Sequence, residues 1–249
     1  MKQELRMASL YALPGIPLVQ PGDDLARIIA ECASNWSFQF EDNDIVVIAQ
    51  KIVSKAENAI VDLATITPTP SALELAQQTG RDPRLCQVYL NESTEILAIK
   101  GRHVVTRHRL GLICAAAGVD SSNVAPRAAH LVVLLPCDPD TSARRIRSDL
   151  LTLTGKKVAV IISDSLGRDD RLGSIGMAIG VAGIRPLEER HQQDLFENAS
   201  HPFIDIVDEI GSAASLLMGQ SNEALPVVIL RGIHYTIEEQ VELRSGFAF

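Results

Sequence analysis

Five consecutive apolar residues, Val158–Ile162, run up to Ser163-Asp164 and stop there. A segment apolar at every position, rather than at alternate ones, reads as a buried strand and not as the face of a half-wetted sheet. Ile45–Ala49 has the same character and ends on Gln50-Lys51, and Val227–Leu230 is a third core strand of this kind. Any fold for this chain must therefore bury several short strands completely.

Helical patterns separate them. Pro21-Gly22-Asp23-Asp24 introduces a helix, either Asp serving as cap, with Leu25, Ile28, Ile29, Cys32 and Trp36 at inward spacing. Ser71 and Glu74 form a capping box for a helix running towards Thr79-Gly80. Asp140 is expected to cap a helix through Leu150 whose outer face carries Arg144, Arg145 and Arg147. Asp205–Met218 is amphipathic, with Ile206, Ile210, Ala213, Ala214 and Leu217 inward. Ala59–Leu63 reads as a short strand, and Val104–Val119 as two strands about a turn at Arg109–Gly111. Strands and helices interleave without a regular βαβ rhythm. The expected fold is thus α+β (mixed α/β) and non-Rossmann, in a single domain of residues 1–249 with room for two subdomains.

Composition narrows the function. A chain of 249 residues with 46% hydrophobic content buries a large core, and its net charge of −8 opposes a general phosphate-backbone binder, so nucleic acid is excluded as a partner. No apolar run approaches the roughly 20 residues of a membrane span, and Met1–Leu10 carries Lys2, Glu4 and Arg6 rather than a leader. A cytoplasmic protein with no membrane partner is the expectation. Cys32, Cys86, Cys114 and Cys137 show no CxxC spacing and no His neighbour, which predicts free, buried thiols.

The common nucleotide signatures are absent: no GxxxxGK[ST] phosphate loop, no GxGxxG after a strand and no HExxH. Asp164 ends an apolar strand with the hydroxyl of Ser165 beside it, and Asp120 follows the strand and small-residue run Ile113–Val119. Asp138 and Asp140 flank Pro139 at a helix start. Hard oxygens converging at strand ends suit magnesium or manganese holding a polyphosphate; turn and cap roles are the plainer alternative. Lys51 and Lys55 are placed to neutralise phosphate oxygens, or else lie on a solvated turn. Gly167, Gly173, Gly176, Gly180 and Gly183, with Arg168 and Arg171, allow either close approach to an anion or close chain packing. Arg231-Gly232 is a weaker candidate of the same type.

Taken together these segments resemble the coenzyme F-420-0:L-glutamate (gamma-glutamyl) ligase family. The matching stretches are Leu13–Ile16 with Gly22–Leu25, Ala49–Glu57, Gly118–Val124, Leu134–Ala143, Ile162–Arg171, Ala178–Leu187 and Met218–Gly232, in the family's order. The resemblance implies an intertwined homodimer without a phosphate loop. It also implies GTP as co-substrate, two divalent cations (Mg or Mn), and leaves open a monovalent cation as well. By similarity Asp120 and Asp164 hold one metal, and Ser165 and Gln220 the other. The GTP site would be lined by Leu13, Pro14, Gly15, Ile16, Gln50, Lys51, Lys55 and Asn123. Met218, Gly219, Gln220, Ser221, Asn222, Glu223, Ala224 and Leu225 complete it, with Lys51, Lys55 and Arg168 as the cationic catalytic residues. GTP would phosphorylate the carboxylate tail of F-420-0, and the amine of L-glutamate would attack the acyl phosphate.

Two departures bear on the acceptor. Asp169-Asp170 stands where the family typically shows Pro-Trp, and Ala116 where it often has Asn. A paralogous ligase that glutamylates another carboxylate therefore stays open, as does a non-catalytic nucleotide- or metal-binding protein on the same scaffold.

Overall fold

The computed structural model describes residues 5–124, 130–168, 171–190, 192–193 and 196–246. The three apolar runs are adjacent strands of one mixed sheet. In chain order the first elements are β1 (Ser9–Ala12), α1 (Leu25–Asn35), β2 (Ile45–Ala49), α2 (Gln50–Ala56) and β3 (Ile60–Asp62). Next come α3 (Pro70–Thr79), α4 (Pro83–Glu92), β4 (Ser93–Lys100), β5 (His103–His108), β6 (Ile113–Ala115) and β7 (Leu131–Val133). Then follow α5 (Pro139–Thr154), β8 (Ala159–Arg168), β9 (Arg171–Ala182), β10 (Leu187–Glu189), β11 (Gln192–Gln193) and β12 (Ala199–Ser200). The last are β13 (Phe203–Asp205), α6 (Ile206–Met218) and β14 (Val227–Arg231).

The main sheet has the order β1-β14-β2-β8-β9. Only β2 and β8 run parallel, in the register Ile45↔Ala159 to Ala49↔Ser163; the other neighbours are antiparallel. Strand periodicity divides its side chains between two cores. Val46, Ile48, Val160, Ile162, Val227 and Ile229 face α1 and α5, whereas Ile45, Val47, Ala159, Ile161, Val228 and Leu230 face α6. Both faces are covered, which is why these runs are apolar throughout. Each buried Ile or Val contributes about 1.5–3 kcal/mol of transfer free energy. Beside this sheet, α3 and α4 pack on the sheet β4-β5-β6 around Leu75, Cys86, Tyr89 and Val104, and β3 pairs with β7. The architecture is mixed α/β, as the interleaving predicted.

Several local expectations change. The cap of α3 is Thr69, whose side chain accepts the N–H of Ala72, with Pro70 in the first turn; Ser71 lies inside the helix. Likewise Asp138, not Asp140, caps α5 by accepting the N–H of Thr141, and the helix runs on to Thr154 before Gly155 ends it in the left-handed region. Asp140 is drawn inward and accepts the backbone N–H groups of Val181 and Leu243. Of the three arginines only Arg145 is exposed, and it pairs with Glu57; Arg147 pairs with Glu239 and Arg144 reaches Val241 O. Trp36 lies just past α1 and is exposed, and Leu217 of α6 also faces outward. Cys137 is exposed, while the other three thiols are free and buried.

The largest difference concerns the glycines. The apolar strand does not stop at Ser163; it continues as β8 and returns as the long β9, so that Gly167, Gly173, Gly176 and Gly180 lie in strands and Gly183 just past them. A Cβ on Gly176 would lie 2.4 Å from Gly211 O in α6, and one on Gly180 would lie 2.5 Å from the backbone of Pro139 in α5. These two glycines let β9 pass between two helices. Arg231 is also structural: its guanidinium grips the buried carboxylate of Asp44 through two hydrogen bonds of 2.7 Å and lies over the rings of Tyr11 and Phe38.

Candidate active site

Strand register brings the candidate residues to one end of the main sheet. Ala12 pairs with Val228, Val227 with Ile48, and Ala49 with Ser163. The loop after β1, the start of α2 and the segment before β14 all leave the sheet at this level, and Asp164 is the first residue of β8 beyond the end of its pairing with β2. Leu13 N donates to Val227 O and Ala49 N to Pro226 O, which fixes the Leu13–Ile16 loop and the Met218–Leu225 segment beside Gln50.

Asp120 reaches the same place from another direction. Ala116, Ala117 and Gly118 are three successive residues at positive φ, a conformation costly for alanine, and they turn the chain sharply after β6. Asp120 then bonds to Val133 through both its backbone groups. Its carboxylate accepts the N–H of Ser122 at 2.6 Å and meets Lys51 Nζ at 2.6 Å. Lys51 also donates to the carbonyl and hydroxyl of Ser122, at 3.0 Å each. Burial alone would raise the Asp120 carboxyl; the bonds from Lys51 and Ser122 reverse this and hold it below the usual range.

Asp164 stands one residue beyond the Ala49↔Ser163 pair and accepts the N–H of Ser165 at 2.8 Å. Burial, reinforced by the charge of Asp120, pushes its carboxyl up to about 6, with Lys51 opposing. Two carboxylates thus repel each other in a half-buried place where one lysine is shared. Cys114 lies nearby, and burial lifts its thiol to about 11, so it is protonated at neutral pH.

A second chain of contacts runs alongside. Lys55 Nζ donates to Asn123 O at 2.6 Å, and Asn123 Nδ2 donates to Ser221 O at 2.9 Å. Ser221 N donates to the Glu223 carboxylate. Burial lowers the Lys55 pKa, and the neighbouring Lys51 lowers it further. Gly219, at φ 71, has the Glu223 carboxyl where a Cβ would stand, so this turn requires glycine. Ser174 Oγ faces Gln220 Oε1 at 3.5 Å, two residues along β9 from Gly176, the partner of Ser165. Gln220 and Ser165 therefore approach the same stretch of the hairpin.

The remaining expected residues divide. Gln50 is buried, its amide committed to Ser54 Oγ and Leu134 O. Leu13 is buried and Ile16 packs on the core, whereas Gly15 at φ 88 accepts the thiol of Cys32 through its carbonyl. The side chains of Arg168 and Arg171, and Asp169 and Asp170 altogether, lie outside the described residues. Ser122 and Ser174 were not anticipated. For Ser122 a signal existed, because Asp followed two residues later by a backbone donor is an Asx turn. For Ser174 there was none.

Among the described residues no three His, Cys, Asp or Glu side chains converge as a metal cluster. The expected donors include only two carboxylates, Asp120 and Asp164, the others being a hydroxyl and an amide. Asp164 stays raised by burial and by the charge of Asp120 although Lys51 offsets part of it, and a divalent cation held between the two carboxylates would remove that penalty.

The family described as F420-0:Gamma-glutamyl ligase matches residues 15–232. The chain belongs to this family. It is 44% identical over 226 residues to the Coenzyme F420:L-glutamate ligase of Methanothermobacter thermautotrophicus, covering 90% of this chain and 88% of that protein. The identically described protein of Methanocaldococcus jannaschii is 40% identical, with 93% and 90% covered, and that of Archaeoglobus fulgidus 35%, with 94% and 91% covered. The matched stretch includes Lys51, Lys55, Asp120, Asn123, Asp164 and Gln220. It makes the chain a ligase of the coenzyme F420 biosynthetic family. Among the described residues, no helix is long and apolar enough to cross a membrane.

Proposed function

We propose that this protein joins L-glutamate to the carboxylate tail of F420-0 at the expense of GTP. The observation that carries the reading is the Lys51–Asp120 ion pair at the end of the parallel strand pair, within electrostatic reach of Asp164, with Lys55 and Asn123 alongside. Lysines beside carboxylates suit a triphosphate whose charge needs both cations and positioning. Asp120 and Asp164 would hold one divalent cation, and Ser165 and Gln220 a second. Bound there, such cations would neutralise charge building on the transferred phosphoryl group.

Lys51 leaves Asp120 and Ser122 to meet phosphate oxygens, and Lys55 does the same from the next turn of α2. The acceptor carboxylate takes the terminal phosphoryl group, giving an acyl phosphate and GDP. The amine of L-glutamate then attacks the acyl carbon and phosphate leaves, forming the amide. Assembly as a homodimer belongs to the same reading, supported by the fully exposed Leu172 at the tip of the β8–β9 hairpin and by exposed Leu216 and Phe203.

The deciding experiment incubates the protein with F420-0, L-glutamate, Mn²⁺ and GTP and follows the mass of the acceptor. A glutamate increment that needs GTP supports the proposal; no increment with GTP or ATP refutes it. The Lys51→Ala, Lys55→Ala double variant is expected to bind GTP at least tenfold more weakly by calorimetry. Asp169-Asp170 supplies the test of the acceptor. If the parent ignores F420-0 and a variant with Asp169→Pro and Asp170→Trp accepts it, the chemistry stands and the acceptor is another carboxylate.

A further inference from the structure

Away from the Lys51–Asp120 contact, a cavity of about 300 Å³ opens between the start of α5, the Arg109–Leu112 turn and the segment 242–244. This is the lower end of the roughly 300–1,000 Å³ range of small-molecule sites. Three arginines line it, Arg109, Arg144 and Arg244, together with the carboxylates of Asp138, Asp140 and Glu242.

The roles of these groups differ. Arg109 is committed to Glu92 and to Cys137 O. Asp138 and Asp140 spend oxygens on the backbone N–H groups of Thr141, Val181 and Leu243. Arg144 bonds only neutral acceptors, Val241 O and Thr141 Oγ1, and Arg244 bonds Arg109 O. Among the described residues neither has a carboxylate in ion-pair contact, although each guanidinium carries five N–H donors. Both act on Asp138, whose carboxyl is held below the usual range first by the N–H and hydroxyl of Thr141 and then by these two charges, and both line the same cavity.

The cavity and Asp164 share one strand pair. Ile179 lines it and stands two residues along β9 from Met177, the partner of Asp164, a step of about 7 Å. A lining of both signs suits a small zwitterion better than a polyanion, since guanidinia meet carboxylates and carboxylates meet an ammonium. A nucleotide triphosphate would face Asp138 and Glu242 at a cost.

Resting on the ligase reading above, we propose that this cavity is the binding site for the amino-acid substrate, L-glutamate, with Arg144 and Arg244 taking its carboxylates. Cys137 lines the cavity and is exposed, while the other three thiols are buried, so it reports occupancy directly. The experiment labels the intact protein with a thiol reagent, with and without GTP and Mn²⁺, and measures the rate at Cys137. L-glutamate is expected to slow labelling at least fivefold, and L-lysine not to do so. Arg144→Gln and Arg244→Gln are each expected to raise KM for L-glutamate at least tenfold while the KM for GTP changes less than twofold, with Arg144→Lys restoring part of the loss. Should Arg144→Gln fail to fold because Val241 loses its anchor, the exposed Arg244 carries the test. Unchanged KM for L-glutamate in the folded variants, or no protection at concentrations that saturate turnover, overturns the assignment and leaves the ligase reading intact. Protection that Arg244→Gln abolishes, in a protein that forms no amide, upholds the cavity and refutes the ligase.

Discussion

Asp208 shows how one carboxylate can cost stability while fixing the backbone. It accepts the N–H of Ala178 at 2.7 Å, tying α6 to β9. Burial, with Asp205 adding to it, pushes its carboxyl up to about 6, above the 3.8 of a free side chain. Because the folded pKa is the higher one, the protonated group binds its proton more tightly in the folded state. Its contribution is whole below about pH 4 and is lost as pH rises through about 6. Asp208→Asn keeps an acceptor for Ala178 without the charge. It is expected to raise unfolding free energy by about 1–2 kcal/mol at pH 7.5, after allowance for screening, and to leave it unchanged near pH 3.5. Urea titrations at the two pH values check this. An equal gain at both would mean that ionisation is not the cause. Residue types at Asp120, Asp164 and the two lysines were readable from their places after apolar runs. Which of them touch was not, since the ion pair between Lys51 and Asp120 spans a long separation in the chain.

At the scale of elements, β9 is the part most tightly constrained. Its glycines read equally well as allowing close approach to an anion or as packing residues, and only the helices on either side decide between them. A β-carbon at position 176 collides with the backbone oxygen of Gly211, which has no side-chain rotamer through which to yield. Gly176→Ala is therefore expected to cost about 1–3 kcal/mol, measured as a lower urea midpoint. Gly167, with nothing near a β-carbon, is expected to accept Ala within about 0.5–1 kcal/mol of the parent. Similar costs at both would place the effect in strand propensity rather than in the helix contact. Capping shows the same limit of local reading. Thr69 and Asp138 take the cap roles because Pro70 and Pro139 suit the first helical position, a cue already present in the sequence.

For the molecule as a whole, the sheet is a frame whose end assembles segments from distant parts of the chain. If Asp120 and Asp164 share a cation, binding should stabilise the entire fold by mass action. Saturating Mn²⁺ is expected to raise the melting temperature by about 5–10 °C, an excess of EDTA to abolish the rise, and the Asp120→Asn, Asp164→Asn double variant to lack it. A double variant that melts with the same Mn²⁺ shift would remove both residues from the metal site.

The sequence by itself determined the mixed fold class, because strands buried on both faces must be apolar at every position and amphipathic helices must cover them. The ordered segments also carried the family, since their residue types and order survive without any knowledge of contacts. Tertiary structure alone decided that β8 and β9 form one long hairpin, that Arg231 serves Asp44, and that Cys137 is exposed beside three arginines. These depend on which distant surfaces meet, and pairing across the chain is set by packing between elements rather than by anything periodic within one of them.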